Sequence, residues 1–96
     1  MAAALQAKGF RVAVVERGPL KGRDQEWNIS RAELAVLVEL GLLTQQDVDA
    51  CINVVFNPVR IGFHGGEDVW TRDVLNVGLS PAKLIDLVSR GMERGR

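Results

Sequence analysis

At 96 residues the chain is long enough for one small domain and too short for two. Hydrophobic residues make up 47% of it, which permits a core, and twelve basic residues balance twelve acidic ones. That balance gives no electrostatic case for binding nucleic acid or an acidic membrane. The single cysteine and single histidine exclude an internal disulfide and a multi-cysteine or histidine-based zinc site, and no apolar run reaches the roughly 18 residues that a membrane span needs.

The opening "MAAALQAKGF" is not a secretory leader, because its apolar stretch is short and Lys8 and Arg11 follow it. It also lacks the length and arginine content of a complete transit peptide. Residues 2–8 instead predict a helix, since alanine and leucine lose little on entering one. Gly9 then sits where a left-handed residue ends a helix. "RVAVV" follows. Its four consecutive apolar residues, Val12 to Val15, show no alternation, the pattern of a strand covered on both faces. Glu16 ends that strand.

Three helix starts are legible further on. In "ISRAEL", Ser30 caps and Glu33 reaches back from the third position, with Ile29 and Leu34 in the staple positions. Leu34, Leu37, Val38 and Gly41 share one side, and Gly41 is the expected stop. In "LTQQDV", Thr44 caps, Asp47 answers it, and Leu43 faces Val48. This helix is expected to run to about residue 53, with Val48, Cys51, Ile52 and Val55 inward. In "LSPAKL", Ser80 caps, Pro81 takes the first helical position and Leu79 meets Leu84. That helix is expected to reach Ser89 or Arg90, with Gly91 as its stop. Between the second and third helices, Val59, Ile61 and Phe63 alternate with Arg60 and Gly62, "HGGED" reads as a turn, and "VWTR" as the returning strand of an antiparallel hairpin.

Glu16 is the leading candidate for a binding role. A nucleotide-binding βαβ unit carries an acidic residue at the end of its second strand, where it accepts hydrogen bonds from a ribose. The glycine loop that cradles the pyrophosphate lies about 20 residues earlier in such a unit, and counting back from Glu16 leads upstream of Met1. The pattern by itself does not separate FAD from NAD. Other residues carry weaker signals. Trp27 reads as a core anchor, with a wall near a cofactor as the alternative. Arg31 reads as a solvated helix residue, with pairing to Glu33 or a ligand phosphate as the alternative, Trp70 as packing, and Arg60 and Arg72 as surface groups, with flanking each other across the hairpin or anion binding as the alternatives. His64 lies in a turn without a serine, cysteine or carboxylate arrangement to make it a base. Cys51 reads as a buried small side chain, and Asp68 and Asp73 have no evident partner. No catalytic residue and no metal ligand is assigned.

The run "VAVVERGPLKGRDQEWNISRAEL", continued by "FNPVRIGF", "DVW" and "DVLNVGLSPAKLIDLV", resembles the plant and cyanobacterial FAD-dependent oxidoreductases related to lycopene cyclases and geranylgeranyl reductases. The resemblance covers essentially the whole chain, and "EWNISR" and "NVGLSPAKL" carry it more specifically than "VVERG". It implies an α/β fold: an incomplete Rossmann-like FAD-binding domain lacking the first strand and glycine loop, with an inserted helical segment and a β-hairpin. Residues 1–96 are then a fragment of an FAD/NAD(P)-binding domain.

The resemblance implies FAD as cofactor, with Glu16 on its adenosine ribose and Arg17 near its adenine end. It places "WNISR" in the excursion after the second strand, and makes Lys83 the basic group nearest to where related flavin hydroxylases keep an arginine. It further implies an isoprenoid-like or other apolar substrate and, for a plant or alga, a chloroplast setting. The fragment alone is expected to be inactive and to self-associate through its unpaired strand. Two alternatives stand beside the flavoenzyme: a non-catalytic interaction protein, and a fragment of a nicotinamide-binding enzyme.

Overall fold

The computed structural model describes residues 1–94. Along the chain come α1 (Ala2–Ala7), β1 (Trp27–Ile29), α2 (Arg31–Glu39), α3 (Gln45–Cys51), β2 (Ile52–Val55), β3 (Val59–Ile61), β4 (Val69–Thr71), β5 (Val77–Leu79) and α4 (Pro81–Arg94). The fold is thus a mixture of helices and strands, and both of its sheets are antiparallel. Among the described residues, no helix is long and apolar enough to cross a membrane.

The core forms around β5. This strand lies between β1 and β2 in a three-stranded sheet, with Val77 opposite Ile29 on one side and Val55 on the other. All three of its residues are buried. Val77 and Leu79 join Leu34 of α2, Leu43, and Val48 and Cys51 of α3 in one apolar cluster. Leu84, Leu87 and Val88 of α4 pack against it, as helical spacing places them on one face. The β3–β4 hairpin is a separate two-stranded sheet with Arg60 opposite Trp70, as the alternation in its sequence predicts.

The capped starts fall where expected. Thr44 Oγ1 accepts from Asp47 N at 3.0 Å, and Asp47 Oδ2 accepts from Thr44 N at 3.1 Å. Ser80 Oγ accepts from Lys83 N at 3.3 Å. Glu33 Oε1 accepts from Ser30 N at 3.3 Å, completing the outline of the predicted box. The Ser30 hydroxyl also receives Leu75 N at 2.8 Å, which ties α2 to the loop entering β5. Gly9 and Gly41 take the left-handed conformation, with φ of 91° and 72°.

Several expectations are corrected. α3 ends at Cys51 rather than near residue 53. Ile52 turns to φ −81°, ψ 122°, because the β-branched run Ile52–Val55 pairs with β5 instead of continuing the helix. Val55 consequently leaves the inner side and is exposed. α4 passes through Gly91 and reaches Arg94. A glycine inside a helix costs only about 1 kcal/mol, less than the apolar face of α4 gains by packing on the core.

The largest correction concerns residues 11–15. They form no strand, and Val15 is 95% exposed. In the main sheet β1 and β2 both pair with β5, and among the described residues no strand lies beside this segment. A parallel sheet of Rossmann type is therefore not formed among the described residues.

Candidate functional site

Glu16 and Arg17 lie at the end of a segment that α1 launches. Gln6 on α1 donates from Nε2 to the Met92 carbonyl of α4 at 3.1 Å, which anchors the short helix. Gly9 then redirects the chain. From Phe10 to Glu16 it runs without a turn or bend, and it bends at Arg17 and Gly18. Among the described residues, no backbone-to-backbone hydrogen bond involves residues 11–20. Val12 and Val14 share a cleft of about 360 Å³ with Leu20, Met92, Gln6 and Glu93. Its lining mixes these apolar side chains with the polar Gln6, Ser89 and Glu93.

Glu16 and Arg17 are both exposed. Glu16 Oε1 accepts from the backbone N–H of Arg17 at 2.7 Å. This local bond turns the carboxylate back along the chain. Among the described residues it is the only hydrogen bond Glu16 makes, so Oε2 is left to solvent or a ligand. No ion pair joins Glu16 or Arg17 to Lys83 among the described residues, and Lys83 is exposed on the first turn of α4. The geometry therefore brings Glu16 and Arg17 together as neighbours and leaves Lys83 apart from them in bonding.

Other candidates resolve as follows. Trp27 lies on the edge strand β1 and is exposed, not a core anchor. Trp70 is exposed too, since no second layer covers its face of the hairpin. Asp68 has a partner that sequence did not reveal: its Oδ2 accepts from Arg60 Nε at 2.7 Å in an exposed ion pair. Asp73 also has one, because Asn57 Nδ2 donates to Asp73 Oδ1 at 2.8 Å and Asn57 Oδ1 accepts from Asp73 N at 3.0 Å. That second pair pins the two ends of the hairpin together. His64 is exposed in its turn. Cys51 is fully buried, as read from its helical spacing, and burial pushes its thiol above its ordinary value, with the Asp47 carboxylate adding to the rise and Lys83 opposing it. Arg31 and Arg72 are exposed.

Gly22 was not singled out by sequence, yet its backbone lies against α4. A Cβ added there would overlap the carbonyl of Pro81. The loop between the Glu16 segment and β1 is thereby pressed onto the first turn of α4. A lone glycine in "PLKGRD" carries no signal of so remote a contact. Among the described residues, no group of acidic, histidine or cysteine side chains is arranged to hold a metal ion.

Comparison with protein-family models, curated proteins and solved structures finds no match to this chain.

Proposed function

We propose that the chain supplies the second-strand region of a Rossmann-like FAD-binding domain in an FAD-dependent oxidoreductase of the lycopene-cyclase and geranylgeranyl-reductase kind. The observation that carries the reading is an order of elements: α1, the left-handed Gly9, the unbent residues 10–15 with the apolar run Val12–Val15, and then the exposed carboxylate of Glu16. In a dinucleotide-binding unit this is the order of first helix, turn, second strand and ribose-binding acid. The free Oε2 of Glu16 suits a ribose hydroxyl, which donates to a carboxylate in a charge-assisted bond. Arg17 beside it offers a guanidinium for the adenine end of FAD.

Bound flavin supplies the redox or electrostatic chemistry of such enzymes. The residues of this chain bind and orient its adenosine end, and the substrate is isoprenoid-like or otherwise apolar. A chloroplast setting goes with the same resemblance. The test is capture of the endogenous polypeptide through residues 11–31, followed by its intact mass and its flavin content after acid release. FAD in about equal molar amount with the polypeptide supports the reading. A polypeptide that carries no flavin and takes up none from added FAD overturns it.

A second reading is favoured by the exposure of Val15 and the unpaired backbone around it: a flavin-free interaction protein that docks through this segment. A stable complex without bound flavin distinguishes it.

A further inference from the structure

We propose that Gly9–Gly18 is a self-pairing strand, and that its partner is the same segment of a second copy of this chain, antiparallel, with Arg11 of each copy opposite Glu16 of the other. Flavin plays no part in this contact, and its test is done without FAD.

The segment has what a strand needs and lacks only a neighbour. From residue 11 to residue 20 its backbone makes no bond to other backbone among the described residues, and its one engaged donor, Arg17 N, goes to the adjacent Glu16 side chain. It is unbent from Phe10 to Glu16 and rich in β-branched residues, and Phe10, Val14 and Val15 are all exposed. A row of unpaired N–H and C=O groups of this kind is a template for another strand.

Charge selects the partner and the register. With Arg11 opposite Glu16, Val12 falls opposite Val15 and Phe10 opposite Arg17. Every charge then meets its opposite or an aromatic face, twice over, because both copies contribute the same residues. A slip by one residue destroys this match. In one direction it sets Arg11 against Arg17, and in the other it sets Arg11 against Val15. Parallel in-register pairing sets arginine on arginine and glutamate on glutamate.

Shape agrees with charge. Residues 12–14 face a cleft whose far wall includes Met92 of α4, so the body of the molecule lies to one side of the segment, while Val15 is open. The chosen register pairs even-numbered with odd-numbered positions. Alternate side chains of a strand point to opposite faces, so the second copy is turned over and its body lies on the other face of the two-stranded ribbon. A third copy would return to the first face at two strand spacings, about 9.5 Å. The smallest dimension of the molecule is 21 Å, so the pairing stops at a dimer.

Surface area points the same way. The chain exposes 7343 Å², whereas a compact monomer of 10.5 kDa exposes about 5,400 Å². The excess is larger than the roughly 800 Å² per partner that a standard interface covers.

The test is sedimentation of the 96-residue chain across a concentration series, by analytical ultracentrifugation, with circular dichroism to verify unchanged helix content. The unaltered chain dimerises. Arg11→Glu and Glu16→Arg each weaken the dimer roughly tenfold, since both turn two attractive cross-strand pairs into repulsive ones. The double variant recovers native affinity, and an equimolar mixture of the two single variants forms mixed dimers. Hydrogen exchange of the amides of residues 11–16 reads the same contact without mutation, becoming slower as concentration rises. A chain that stays monomeric throughout overturns the proposal. So does dimerisation that survives both single reversals, which assigns the contact to another surface such as the exposed hairpin, or a double variant that is not restored.

Discussion

Gly22 and Cys51 show how much a single residue can depend on what is packed against it. At Gly22 the neighbour is backbone, which cannot swing aside as a side chain does. Gly22→Ala is expected to destabilise the fold by at least about 1–3 kcal/mol, the usual cost of overpacking. Thermal melts of the two chains check this, and an unchanged midpoint would show that the loop lifts off α4 freely. At Cys51 the issue is charge. Burial raises the thiol above its ordinary value of 9.0, so the folded chain holds this proton more tightly than the unfolded one. The associated stability is fully present below the unfolded value and is lost as pH rises through the raised folded value. Urea titrations from neutral to alkaline pH are expected to show a steeper loss of stability for the native chain than for Cys51→Ala. Parallel slopes would mean that the thiolate is accommodated without penalty. The burial of Cys51 could be read from its spacing to Val48, because helix period is local. Neither the contact of Gly22 with Pro81 nor the partners of Asp68 and Asp73 could be read, because each depends on how distant or looped segments fold back.

At the scale of elements, the two capped starts of α2 and α3 look alike in sequence and differ in consequence. Thr44 is exposed and its hydroxyl serves only its own helix. Ser30 is buried, and its hydroxyl also receives the N–H of Leu75. Thr44→Ala is expected to cost about 1 kcal/mol, as for an ordinary cap. Ser30→Ala is expected to cost about 2 kcal/mol or more, because it also leaves a donor without its acceptor. Denaturant midpoints decide, and equal losses would mean that the Leu75 bond adds nothing. Caps, the stops at Gly9 and Gly41 and the hairpin were legible because each is encoded within a few neighbouring residues, whereas the expected stop at Gly91 is overridden by the packing of α4. The strands β1, β2 and β5 were not. Each spans only three or four residues, without the alternation that runs on from β3 to Phe63 or the turn that follows it, and β1 and β2 form because β5 lies between them. Ile52–Val55 illustrates the conflict: its spacing from Val48 continues a helical face, yet β5 offers it a ladder and a strand wins. Of the candidate site, Glu16 was visible as the acid closing an apolar run, while the lack of pairing before it emerged only with the sheet order.

The whole molecule is more open than its length requires. Its radius of gyration is 15.9 Å, against about 12.5 Å for a compact chain of this size. Stability should accordingly be uneven, since opening energies follow burial and bonding. β5 is bonded on both sides and buried throughout, so its amides open only when the core does. The hairpin is bonded to a single neighbour and carries the exposed Phe63 and Trp70, and two strands alone are marginal in water. Residues 11–20 have no backbone partner at all among the described residues. Native-state hydrogen exchange at low concentration is therefore expected to show three tiers: slow at Val77 and Leu79, intermediate in β3 and β4, and near the unprotected rate from Arg11 to Leu20. The order of the tiers is the sensitive quantity, because it follows from which strand lies in the middle and not from overall stability. A protected segment at Val12–Val15 in a chain shown to be monomeric would mean that the strand has found a partner within its own molecule, and the sheet order would then have to include it. Fast exchange throughout β5 would mean that the core cluster around Leu34 and Leu79 is not held together by packing, leaving the capped helices as the only cooperative structure.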